Sequence, residues 1–150
     1  PGATDAGCPG PADAGCPGAA ALPSDPSQWS AWLATRAYEG EGWHCDAAPQ
    51  PALPDGPHGP NTICVNDALW EARDGSGEYP VGAAAVKTTG ANQYIDARLL
   101  ADPGAAGWYF YVDGASGPQG YGTETAVAFC ADCHDNMGAR DFVRRIPSDG

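Results

Sequence analysis

The runs VGAAAVKTT (residues 81–89), YIDARLL (94–100) and WYFYV (108–112) follow one another with only Gly- or Pro-containing breaks between them. Short runs rich in β-branched and aromatic residues, bounded by such breaks, predict an antiparallel meander. TICVN (62–66) adds a further short strand upstream, and the Gly-rich stretch 114–122 reads as a loop. Ahead of the strands, Asp25-Pro26-Ser27-Gln28 has the form of a helix start, with Asp25 as N-cap, Pro26 at the first position and Gln28 at the third. Trp29, Trp32 and Leu33 then share one face, so a helix over 26–38 is expected to dock on the sheet. A second helix is expected over 125–134. The predicted fold class is α+β: an antiparallel β-sheet with flanking helices, the C-terminal helix carrying the motif described next.

Cys130-Ala131-Asp132-Cys133-His134 is a C-x-x-C-H run. Two thiols one short turn apart suit addition to the two vinyl groups of a haem, and the adjacent imidazole suits a proximal iron ligand. A structural zinc site wants two such pairs, and the chain has only one. A thioredoxin-like pair belongs in a strand-to-helix βαβ context that the pattern lacks. The motif therefore predicts one covalent haem c, with His134 on the iron. Because it follows a β-rich region and lies near the C-terminal end of the sequence, the mostly helical cytochrome c fold is disfavoured.

The sequence has 150 residues, 19 acidic against 7 basic, and a formal charge of −12. Such a balance repels phosphate backbones and anionic lipid, so nucleic-acid binding is not expected. No apolar run approaches the roughly 18 residues a membrane span needs, and no charged-then-apolar leader is seen, which is read as a processed, soluble chain. Cys130 and Cys133 are assigned to haem, leaving Cys8, Cys16, Cys45 and Cys64 as an even set for disulfides in an oxidising compartment. A periplasmic or extracellular location is expected.

Cys45 and Cys64 bracket a segment containing Pro49, Pro51, Pro54, Pro57 and Pro60, and a disulfide between them is expected to constrain the unfolded chain by about 3 kcal/mol. Residues 1–23 form a Pro/Gly/Ala-rich N-terminal tail, and 24–150 form the folded domain. Within the tail, DAGCPG recurs at 5–10 and 13–18, placing Cys8 and Cys16 where either a local disulfide or a contact to a neighbouring subunit is open to them. A homo-oligomer through this tail is one expectation.

Four stretches in order resemble the cytochrome P460 family, which includes P460 and the β-sheet form of cytochrome c′. They are His58-Gly59 with Asn66; Tyr79-Pro80-Val81-Gly82-Ala83-Ala84-Ala85-Val86-Lys87; Gly107-Trp108-Tyr109-Phe110-Tyr111; and Cys130 to His134 followed by Asp141-Phe142-Val143. The resemblance spans about residues 25–145. It implies one haem c on an antiparallel sheet, His134 proximal, and a distal side that members often leave open to nitric oxide or similar small molecules. In P460 proper a lysine is bonded to the haem edge, and the protein oxidises hydroxylamine. Lys87, the only lysine, is the sole candidate for that bond, against a solvated or propionate-pairing role. It is expected near the haem but unlinked.

His58 and His44 are candidates for a sixth iron ligand, with His58 on its Pro/Gly loop the better placed. A second histidine there would make an electron carrier that docks a redox partner protein. Met137 is too near His134 in sequence to reach the opposite haem face. Arg140, Arg144 and Arg145 are read as partners of propionates or of acidic residues. Glu78 and Glu124 are acids that the sequence does not place at the iron.

Overall fold

The computed structural model describes residues 21–52, 58–90, 92–136, 143, 146 and 147. Six strands pair in sequence order, each antiparallel to the next: β1 (Trp43–Cys45), β2 (Thr62–Asn66), β3 (Ala84–Thr89), β4 (Asn92–Arg98), β5 (Trp108–Val112) and β6 (Gln119–Tyr121). Helices α1 (Trp29–Ala34), α2 (Asp67–Glu71) and α3 (Ala128–Asn136) flank the sheet, so the architecture is α+β and the C-terminal helix carries Cys130, Cys133 and His134.

Because side chains alternate along a strand, each strand supplies both faces. Cys64, Ala84, Val86, Ile95, Ala97 and Tyr111 form one apolar face, covered by Trp29 and Leu33 of α1 and by Tyr38. Val65, Ala85, Trp108 and Phe110 form the other, covered by Leu69 of α2, by Tyr79, and by Val127 and Ala131 around α3. Alanines at 83, 84, 85 and 97, all buried, let the covering elements approach closely.

Asp25 does cap the N-terminal turn, accepting from the Ser27 N–H at 2.9 Å. The single helix expected over 26–38 is instead a 3-10 turn, the six residues of α1 and a second 3-10 turn. Arg36 causes the break: it takes the left-handed conformation at φ 54°, which no helix interior accommodates. The Thr35 hydroxyl also donates to the Trp32 carbonyl at 2.6 Å, and the redirected chain seats Tyr38 in the core.

The third strand begins at Ala84 rather than Val81, since Gly82 turns the chain at φ +94°. The Gly-rich stretch hides β6, and β1 and α2 were not expected at all. Gly117 permits the β5–β6 connection, where a Cβ would collide with the Val112 carbonyl. Asn66 ties β2, α2 and β3 together: its side-chain oxygen accepts from Leu69 N–H at 3.2 Å and Ala84 N–H at 3.0 Å, while its amide donates to the Gly82 carbonyl at 2.7 Å.

Among the described residues no helix is long and apolar enough to cross a membrane. The tail cysteines Cys8 and Cys16 lie outside the described residues, as do Met137, Arg140, Asp141, Phe142, Arg144 and Arg145.

Cys45 and Cys64 are register partners on β1 and β2 and form the expected disulfide. Their separation of 19 residues corresponds to roughly 3 kcal/mol of loop-closure entropy removed from the unfolded chain. Replacing both by Ala should lower unfolding stability by about that amount in a denaturant titration, with the β1 edge losing amide protection first.

Arg98 is 3% exposed, and Glu78 accepts from its Nη2 at 2.6 Å and from Gly104 N–H at 2.8 Å. The Arg98 bond first, and the Gly104 bond second, hold the Glu78 carboxyl below its ordinary value. A carboxyl depressed on folding contributes stability that is complete above the unfolded pKa and is lost as pH falls through the folded one. Glu78→Gln should therefore destabilise the protein at neutral pH and flatten the loss of stability below about pH 4, measured by chemical denaturation across pH.

Candidate functional site

Strand register assembles one polar and aromatic strip on the face that α3 covers. Lys87 of β3 faces Tyr94 of β4, and Tyr94 faces Val112 of β5; one pleat along, Asp96 faces Phe110. Across this strip lies α3. Val127, immediately before the helix, and Ala131, four residues on, are buried, and the adjacent stripe is Cys130 with His134, also four apart. Helix and strip enclose a cleft of about 270 Å³ lined by Cys130, Cys133 and His134 on one side and by His58, Lys87, Tyr94, Asp96 and Phe110 on the other.

Within the cleft, His134 is 12% exposed at its side chain, and its Nδ1 lies 3.7 Å from Asp96 Oδ2. The Phe110 ring meets the imidazole edge-on at 5.6 Å between centroids. Tyr94 is flanked by two cations or potential cations: Lys87 Nζ stands 5.1 Å from its ring centroid, and the His58 ring meets it edge-on at 4.8 Å. At the rim, Phe129 is 74% exposed, a large apolar ring with little protein against it.

The structure thus brings Lys87 and His58 to the same cleft as Cys130, Cys133 and His134, and it leaves His44 elsewhere. His44 Nε2 is 2.9 Å from Asp67 Oδ1, and its ring stacks on Trp70 at 4.4 Å, with the Arg73 guanidinium over the Trp70 ring at 4.0 Å. Glu78 is committed to Arg98, and Glu124 to the Tyr121 N–H at 3.0 Å; neither lines the cleft. A larger hollow of about 430 Å³ is walled by Leu22, Pro23, Trp43, Val81 and Leu99 and contains neither histidine nor cysteine.

Asp96, Tyr94 and Phe129 were not singled out from sequence. Asp96 carried a signal nonetheless, because aspartate is depleted in strands and here it alternates with Ile95 and Ala97, which are buried on the opposite face.

The donor set suits haem c. Two thiols and an imidazole border one cleft whose remaining walls are largely aromatic, and the exposed Phe129 offers a further ring at its mouth. Among the described residues no group of three or more His, Cys, Asp or Glu side chains converges on a point. Haem iron, already held by four porphyrin nitrogens, needs only one protein ligand, which His134 can provide. Searches of family models, of curated proteins and of solved structures return no match to this chain.

Cys130 and Cys133 are both partly buried on α3. Burial, above all, pushes the Cys130 thiol up; the Asp96 carboxylate adds to this and the Lys87 ammonium opposes it. Since the thiolate is the reactive form, alkylation of Cys130 in chain without haem should reach half its maximal rate above the ordinary thiol value of about 8.5. Lys87→Ala should move that midpoint further up and Asp96→Asn should move it down, read from the pH dependence of iodoacetamide labelling.

Proposed function

We propose that this chain is a monohaem c-type cytochrome of the P460 type, working outside the cytoplasm and binding a small molecule such as nitric oxide at its iron. The observation that carries the reading is the convergence of Cys130, Cys133 and His134 on one cleft, with Lys87 across it. In this reading Cys130 and Cys133 hold the two thioether links and His134 is the iron ligand. Haem c, when bound, supplies a one-electron couple and an iron centre able to take small diatomic ligands.

The chain's own residues have separable tasks. Phe110 packs edge-on against the His134 ring, while Tyr94 and Val112 add apolar surface to the cleft walls. The Lys87 ammonium, on the Tyr94 ring, offers a positive charge for a haem carboxylate or for a polar ligand. The Cys45–Cys64 disulfide supports an oxidising compartment.

A second reading is favoured by one observation: His58 lines the same cleft, against Tyr94. As a sixth iron ligand it would close the site and make the protein an electron carrier serving a redox partner protein. Lys87 also lines the cleft, which keeps the lysine-linked, hydroxylamine-oxidising form of the family as a third reading, below the other two.

The test is a denaturing mass measurement followed by optical spectra. Matured protein should carry the mass of one haem, and Cys130→Ala with Cys133→Ala should abolish its covalent retention. Ferric wild type should be five-coordinate and bind nitric oxide, with affinity changed less than about tenfold, or 1.4 kcal/mol, in His58→Ala. A six-coordinate low-spin spectrum that His58→Ala abolishes would establish the electron-carrier reading instead. A strongly red-shifted ferrous Soret band lost in Lys87→Ala would establish the lysine link.

A further inference from the structure

We propose that Asp96 is a positioning residue for His134: from the centre of β4 its carboxylate faces Nδ1, which makes Nε2 the nitrogen that coordinates metal and strengthens the imidazole as a donor. This rests on the haem reading above and specifies how the proximal ligand is tuned. Two independent features of the chain carry it. Asp96 Oδ2 and His134 Nδ1 are 3.7 Å apart, with side-chain exposures of 17% and 12%, so the pair interacts away from most of the solvent that would screen it. Asp96 is also an aspartate in the interior of a central strand, between Ile95 and Ala97, where residue preference alone would not put one.

Phe110 completes the arrangement. It is the register partner of Asp96 on β5, and its ring stands at 90° to the imidazole. One pair of facing strand residues therefore supplies both the carboxylate at Nδ1 and the aromatic surface beside the ring. A metal-bound histidine whose other nitrogen faces a carboxylate has a fixed tautomer and raised ligand basicity. The added negative charge favours the oxidised metal, so it lowers the reduction potential.

The test compares holo wild type, Asp96→Asn, Asp96→Glu and, as a control for charge alone, Asp135→Asn, whose exposed carboxylate neighbours His134 in sequence. Each preparation is first weighed to establish that haem is attached. Asp96→Asn should shift the reduction equilibrium at least tenfold toward the ferrous state, 59 mV for one electron. Asp96→Glu should recover part of that shift, and Asp135→Asn should move the equilibrium by less than a third as much.

A measurement on wild type alone gives the answer even if the Asn variant does not fold. In the diamagnetic carbon monoxide-bound ferrous protein, the His134 Nδ1 proton should resonate downfield and exchange slowly. Equal shifts in Asp96→Asn and Asp135→Asn, or a rapidly exchanging Nδ1 proton in wild type, would overturn the assignment. Wild type that never retains haem after maturation would instead overturn the haem reading beneath it.

Discussion

The antiparallel register that sets Lys87 opposite Tyr94 and Asp96 opposite Phe110 is the constraint on which the cleft depends. A strand's side chains alternate, so a slip of one residue in β4 would send Tyr94 and Asp96 to the α1 face and bring Ile95 and Ala97 beneath α3. Burial forbids that slip, because Ile95 and Ala97 are packed with Trp29 and Leu33 on the α1 side. The apolar half of β4 thus fixes the position of its polar half. The geometry of the cleft is held in place by packing on the opposite side of the sheet.

Helix α3 is placed by the same logic from its own side. Val127 and Ala131 enter the core with Trp108 and Phe110, and this sets the rotation of the helix about its axis. Cys130 and His134, one position round, then line the cleft over the polar strip, with Cys130 also packed against the edge of the apolar core. The Cys133 side chain follows within one turn. A C-x-x-C-H spacing supplies the donors, but the Val127/Ala131 stripe decides what they face.

The sheet, its antiparallel order and the helix bearing the motif were legible because they rest on local patterns. Trp108–Val112 and Thr62–Asn66 appear with the expected bounds, since aromatic and β-branched runs between turn residues leave little choice. The Cys45–Cys64 link was legible from loop closure. What stayed hidden depends on partners distant in sequence. Trp43–Cys45 is only three residues long and becomes a strand by pairing with β2; Gln119–Tyr121 contains Gly120 at φ 151° and becomes one by pairing with β5. The approach of His58 to Tyr94, and of Asp96 to His134, crosses 36 and 38 positions of sequence, and no local pattern encodes either. His44 shows the converse: the Pro/Gly loop favoured His58 over it, but no local pattern showed that the α2 residues Asp67 and Trp70 engage it elsewhere.

The electrostatics of the cleft are a difference between opposed charges rather than the effect of one. At Cys130 the Asp96 carboxylate and the Lys87 ammonium act with opposite signs, while burial outweighs either. Lys87 is the only lysine in a chain with a formal charge of −12, so the cleft receives positive charge that most of the surface lacks. A low-dielectric site amplifies both charges, and a pair of opposite sign in one cleft limits the net field each would impose alone. Asp96 also stands 3.7 Å from His134 Nδ1. The two charges therefore act against each other at Cys130 while the carboxylate also faces the imidazole, which in the proposed reading would separate haem attachment from tuning of the metal.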